Sequence, residues 1–190
     1  MRIDNSNISF SANFNNYVKI LKRDQVSGKY FPADVAFVTI DSQNISDLRA
    51  LKEVYDNWGR DVLTEGVLNA AVSKSYGDKY FSKNKIYALT SQSENFEKLN
   101  PSKILGVADI RVLGSKGNIF LEHLKVCPFL KGEQNPDIKK VGTAILNSLK
   151  AKFVQIFLVS LNKPEVKDFY RRNAFKEFTD TLGHFSWHRK

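Results

Sequence analysis

Apolar positions along this chain switch between two rhythms, and the switches outline its elements. Residues 33–40 (ADVAFVTI) are apolar almost without a break and rich in β-formers, which predicts the first core strand. Leu48, Leu51 and Tyr55 then recur at helical spacing, with Asp41 or Ser46 available as the cap, and Asn57-Trp58-Gly59 ends that helix. A second amphipathic helix is predicted over 62–75, where Val62, Leu63, Val67, Leu68 and Ala71 fall on one stripe. Strand-like runs return at 85–90 (KIYALT), 103–112 (KILGVADIRV) and 119–127. The turn residues GSKGN between the last two predict an antiparallel return.

The C-terminal part repeats the scheme with a crossover. A helix from Gly142 places Ile145, Leu146 and Leu149 on one face, and 154–161 (VQIFLVSL) reads as a buried strand. Strand, helix and strand together predict a parallel unit. Pro164 suits the first turn of a further helix, at whose end Asn173 can take the left-handed conformation usually left to Gly. Residues 175–178 and 184–188, with Gly183 between them, predict a closing hairpin. Residues 1–32 are polar and only patchily apolar, so they are set apart as an N-terminal extension before a single domain at 33–190.

Composition narrows the class. A chain of 190 residues with 42% hydrophobic content can bury one substantial core. A lone Cys127 excludes an intramolecular disulfide and no charged-then-apolar leader opens the sequence, so a cytoplasmic protein is expected. No apolar run approaches the ~18–20 residues of a membrane span, so no membrane is expected as a partner. The net charge of +9 is uneven: residues 101–190 carry sixteen Lys and Arg against eight Asp and Glu, while the rest is nearly balanced. A positive field there would concentrate an anionic ligand. Nucleic acid is not favoured, since the basic residues form no sustained run and no base-reading motif accompanies them. An RNA-associated protein stays as a distant third reading.

The densest chemical signal lies between 118 and 175. A strand leads through a polar loop to Lys139-x-x-Gly142-x-Ala144, which opens a helix. Backbone N–H groups of Val141, Gly142 and Thr143 would be left open at its N-terminus, with Lys139 and Lys140 beside them, a ready site for a diphosphate. Gly142 and Ala144 are small enough for close approach.

In this order of features the segment resembles the GNAT superfamily of acetyl-CoA-dependent N-acetyltransferases. The family's Arg/Gln-x-x-Gly-x-Gly/Ala reads here as Lys139, Gly142 and Ala144, followed by Asn162 after the next strand and Tyr170 in the next helix. Its earlier Leu-x-Val-x-Pro element is matched by Leu124, Val126 and Pro128. Lys139 replaces the usual Arg or Gln, Asn173 replaces a Gly, and the loop 127–138 is longer than the family's.

The resemblance implies an α/β (α+β) fold, a central mixed sheet flanked by helices on both faces. It implies acetyl-CoA as co-substrate with no metal, and a small-molecule or protein amine as acceptor. Leu124, Val126, residues 139–144 and Asn162 would hold the coenzyme. Tyr170 would protonate the departing thiolate.

Glu122 shares strand parity with Phe120, Leu124 and Val126. A carboxylate among apolar neighbours is costly unless paired or used, so Glu122 is the candidate base, with pairing to Arg111 or Lys125 as its plain alternative. His123 is expected on the opposite face. Cys127 with His123 is rejected as a nucleophilic pair, being roughly 13 Å apart on a strand, and His184 with His188 and Cys127 makes poor zinc geometry. A non-catalytic module of the same fold, binding coenzyme A or a protein partner, is the alternative function. Oligomeric state, homodimer included, is left open.

Overall fold

The computed structural model describes residues 12–114, 117–130, 137–178 and 183–189. Their strands are β1 (Asn13–Arg23), β2 (Tyr30–Ile40), β3 (Asn84–Thr90), β4 (Ile104–Leu113), β5 (Asn118–Val126), β6 (Ile138–Lys139), β7 (Gln155–Val159), β8 (Lys176–Glu177) and β9 (His184–His188). The helices are α1 (Ile45–Asn57), α2 (Val62–Ser75), α3 (Val141–Lys152) and α4 (Pro164–Arg172). All nine strands join one sheet in the order β6-β1-β2-β3-β4-β5-β7-β9-β8. Every pairing is antiparallel except β5 with β7. The expected mixed sheet, crossover unit and closing hairpin are all present.

Near-continuous apolar strands follow from burial on both faces. Val35 and Phe37 of β2, Tyr87 and Leu89 of β3, and Ala108 and Ile110 of β4 enter one core with Ile145, Leu146 and Leu149 of α3. Their neighbours Ala36, Val38, Ile86, Ala88 and Val107 enter the second core, against Leu51 and Val54 of α1 and Val67, Ala70 and Ala71 of α2. One strand therefore serves two cores, residue by residue.

Strand β1 lies within the stretch set apart as an extension, and it pairs with β2 from Asn13↔Thr39 to Arg23↔Tyr30. Of its side chains only Ile20 is fully buried, so its pattern lacks the hydrophobic signal of a core strand. Residues 1–11 of that stretch lie outside the described residues. Pro32 is tolerated in β2 because β3 covers only Ala36–Ile40, leaving the start of β2 as an edge.

The helices correct four expectations. Asn44, not Asp41 or Ser46, caps α1, its side chain accepting from Ser46 N at 2.8 Å. The buried stripe of α1 is Asp47, Ala50, Leu51 and Val54, with Tyr55 only half-buried. Helix α2 has the predicted span and is capped by Asp61, but Val62 is exposed and Leu63 half-buried because both face a cleft rather than the core. At the end of α4 it is Ala174 that turns left-handed, at φ 60°. Asn173 stays near helical geometry because its own N–H and its Nδ2 both donate to Phe169 O.

Asp47 is fully buried under the loop that enters α1. Its Oδ2 accepts from Asp41 N at 2.9 Å, and Oδ1 has no partner among the described residues. Burial pushes this carboxyl up to about 6, opposed by the Asp41 N–H and reinforced by the Asp41 charge. A folded-state value above the unfolded one favours the native state in full below pH ~4, and that contribution is lost as the pH rises through 6. Asp47→Asn cannot titrate. Its stability relative to the parent chain should therefore rise by about 2 kcal/mol between pH 4 and pH 7.5, as read by denaturant titration at both values; a constant difference would show that the carboxyl titrates alike folded and unfolded.

Candidate active site

Strands β5 and β7 run together for only four residues, from Asn118↔Gln155 to Leu121↔Leu158. Beyond that β7 ends at Val159, while β5 continues to Val126 along β4. Between them opens a cleft of about 980 Å³. The ends of both strands line it, closed above by the start of α2, on one side by β6 and the start of α3, and on the other by α4. Its walls are mostly apolar, which suits an extended ligand with a few polar fixing points.

The polar fixing points lie at the start of α3. Lys140 occupies the N-cap position with no side-chain capping bond and a left-handed backbone, φ 67°. The first main-chain bond of the helix is Ala144 N to Lys140 O at 2.9 Å. The N–H groups of Val141, Gly142 and Thr143 thus have no acceptor within the helix, and all three residues line the cleft. A left-handed residue outside glycine costs of order 1 kcal/mol, a cost seen most often where a site needs the geometry. Gly142 has a second reason to be small, since a Cβ there would meet Phe169 Cζ at 3.0 Å and Val126 Cγ2 at 3.5 Å. Lys139 pairs with Leu21 of β1 and carries its amine 3.9 Å from the centre of the Tyr30 ring, so its charge sits over an aromatic face at the cleft wall.

Tyr170 lines the opposite wall. It is buried among Phe169, Phe175 and Phe185, with ring centroids 5.1–5.7 Å away. That burial pushes its phenol up to about 12, so it stays protonated well beyond neutral pH.

Glu122 departs from the expected parity. The β4–β5 register passes from Asp109↔His123 to Ile110↔Leu121, so Glu122 is an extra, bulged residue with no partner on β4. The bulge reverses the alternation: Ile119 and Leu121 before it, and Leu124 and Val126 after it, all pack towards the α3 core. Glu122 and His123 consequently both face the α2 side. Glu122 Oε1 accepts from Arg111 Nε at 2.7 Å, the plain alternative among its readings, and Arg111 in turn lies 5.8 Å from the Phe120 ring centre. Both Glu122 and His123 line the cleft.

His123 was expected to point away, and its supporting network was not legible at all. Its Nδ1 lies 3.4 Å from Oδ2 of Asp109, which is 1% exposed and receives Asn84 Nδ2 at 3.0 and 3.1 Å. Nearby, Lys125 of β5 pairs with Asp61, tying the strand to the start of α2. Two neighbouring polar residues inside an apolar strand were the only sequence signal of the bulge.

Of the other expected residues, Leu124, Val126, Lys139, Lys140, Val141, Gly142 and Thr143 come together around the cleft. Ala144 and Asn162 do not line it: Ala144 is buried in α3 with its N–H already bonded, and Asn162 is exposed while Ser160 and Leu161 face inward. Cys127 is buried in the α1–α2 core, where desolvation pushes its thiol up. Among the described residues no three His, Cys, Asp or Glu side chains converge as metal ligands, and no helix is long and apolar enough to cross a membrane.

The sequence matches no protein-family model and no curated protein sequence. Solved structures do match. A GNAT-family acetyltransferase structure from Desulfovibrio desulfuricans superposes with a TM-score of 0.51 at 12% identity, covering 81% of this chain and 98% of that one. Tetrahymena GCN5 gives 0.50 at 12% identity, covering 82% and 96%. A GNAT-family acetyltransferase from Staphylococcus aureus Mu50 gives 0.50 at 14% identity, covering 82% and 99%. At these identities the likeness is one of architecture, and it agrees with the motif order of residues 118–175: the chain has the fold of the GNAT acetyltransferases.

Proposed function

We propose that the protein transfers an acetyl group from acetyl-CoA to a primary amine by direct attack. The observation that carries this reading is the cleft itself, in which three main-chain donors at the start of α3 face a gap between parted parallel strands, in the fold of an acetyltransferase family. The diphosphate of the coenzyme would rest on the N–H groups of Val141, Gly142 and Thr143, with Lys139, Lys140 and Arg172 contributing positive charge at the rim. Its pantetheine arm would follow Leu124 and Val126 on the side of β5 that β7 no longer covers. There, main-chain groups can pair with the amides of the arm and polarise the thioester carbonyl.

In this mechanism the acceptor nitrogen enters as an ammonium, and Glu122, or a water it holds, takes its first proton. The amine attacks the thioester carbon, the C–S bond breaks, and Tyr170 supplies hydrogen to the leaving sulfur. A phenol pushed up to about 12 is a reluctant donor to an ordinary thiolate. The departing thiolate forms in the same desolvated pocket, however, and desolvation raises its proton affinity as well. No covalent acyl-enzyme is required. The acceptor is a small amine or a protein amine reaching the α2 side of the sheet.

Two measurements test this reading. Calorimetry should register acetyl-CoA binding that weakens as salt rises, and thiol release from acetyl-CoA should increase with at least one member of a panel of polyamines, aminoglycosides and lysine peptides. Binding without any amine-dependent thiol release would instead identify a coenzyme-holding module, and no binding at millimolar acetyl-CoA would remove the assignment. Tyr170→Phe should lower turnover about 100-fold or more while acetyl-CoA affinity stays within a factor of about three; unchanged turnover would take the acid role from Tyr170.

A further inference from the structure

Proton balance in amine acetylation exceeds what one base handles in a single pass. A C–N bond forms and a C–S bond breaks. The nitrogen that arrives as an ammonium loses one proton before attack and a second when the tetrahedral adduct collapses. The sulfur gains one through Tyr170, so one of the nitrogen's two protons restores that phenol and the other leaves to solvent. Two acceptors near the nitrogen are therefore useful, and Glu122 accounts for one.

The bulge in β5 supplies a second. It turns His123 to the same side of the sheet as Glu122, and both line the cleft. Asp109 sits behind the imidazole in full burial, receiving Asn84 Nδ2 at both oxygens. With Nδ1 donating to Asp109 Oδ2 across the 3.4 Å contact, the ring keeps its Nε2 lone pair for another partner. The Nε2 edge lies against α2 at Gly66, where a Cβ would come within 2.3 Å of it. Glycine at that position makes room for the ring to pack on the helix while His123 still lines the cleft. The surrounding charged groups are Arg111 paired with Glu122 across β4 and β5, Lys125 paired with Asp61 between β5 and α2, and Lys74 of α2, which donates to the main-chain oxygen of Asn84.

We infer that His123 is a second catalytic base, oriented by Asp109, which takes the proton the nitrogen loses as the tetrahedral adduct collapses. This rests on the acetyl-transfer reading above. Asp109 is a positioning residue, holding the ring in the tautomer that presents Nε2. The imidazolium formed in the step is stabilised by the same carboxylate. Asn84 donates to both oxygens of that carboxylate and holds it in place behind the ring.

The test uses the full chain with acetyl-CoA and whichever panel amine supports thiol release. His123→Gln should lower kcat about 100-fold or more while acetyl-CoA binding by calorimetry stays within a factor of about three of the parent. His123→Ala should fall similarly and regain part of its rate on adding imidazole, which can occupy the space the ring vacates beside Gly66. Asp109→Asn should lower kcat with little change in the KM for acetyl-CoA. Wild-type turnover in His123→Gln overturns the inference. So does a loss in His123→Ala that imidazole fails to restore in protein that still binds acetyl-CoA, since that is the signature of a packing role. If the parent chain itself neither binds acetyl-CoA nor releases thiol, the acetyl-transfer reading is what fails.

Discussion

The structure turns on a short agreement between two strands. Strands β5 and β7 share a parallel register for four residues and then part, and everything chemical in the molecule stands at the point of parting. A longer register would bury the main-chain groups of β5 in sheet hydrogen bonds and close the gap. A shorter one would remove the support for α3, whose Ala144, Ile145, Leu146 and Leu149 pack on the core beneath. The crossover from β5 to β7 sets the N-terminus of α3 at the mouth of the gap, so the same connection makes the opening and provides its open donors.

The bulge at Glu122 is the second device, and it acts on side chains as the parting acts on backbone. An inserted residue swaps the faces of every position beyond it. Leu124 and Val126 are brought to the α3 core, continuing the apolar wall set by Ile119 and Leu121, while Glu122 and His123 turn to the α2 side together. A regular strand could present one of these two polar residues to the cleft but not both. The cleft thus acquires an apolar floor towards α3 and a polar edge towards α2.

Much of the architecture was legible in the sequence, because strands buried on both faces and helices with one apolar stripe are strong patterns. The runs at 33–40, 85–90, 103–112 and 154–161 all became strands, and 62–75 became α2 over that span. What escaped was whatever depended on pairing rather than on pattern. Strand β1 is held by hydrogen bonds to β2, with Ile20 as its single fully buried side chain, so no hydrophobic rhythm betrays it. Parity along β5 could not be read past Glu122, since the one local sign of the bulge, two adjacent polar residues, fits a regularly paired strand as well. The main-chain donors of the cleft were legible from the Lys139-to-Ala144 spacing, and Leu124 and Val126 from the resemblance, yet Ala144 itself is committed to the helix and Asn162 faces solvent. The Asp109–Asn84 support for His123 joins three strands, and residues 84, 109 and 123 carry no shared signature in the chain.

Two buried aspartates on the α1–α2 face show how differently the fold treats a carboxylate with and without partners. Asp47 has one main-chain donor and one oxygen without a partner among the described residues, and burial pushes it up to about 6, so near neutral pH it is a charge the helix entry bears at a cost. Asp109 is buried almost as completely, at 1% exposed, yet it receives an amide at both oxygens and an imidazole at one. Both oxygens of Asp109 are thus matched, and the unmet group in its network is Asn84 Oδ1, which has no partner among the described residues. The partnered carboxylate lies behind the cleft and the unpartnered one beneath a helix cap. Asp109 holds the imidazole within the strand frame, whereas the cost at Asp47 falls on the loop that enters α1, whose residues do not line the cleft, so the poorly partnered carboxylate stands apart from the site whose geometry has to hold.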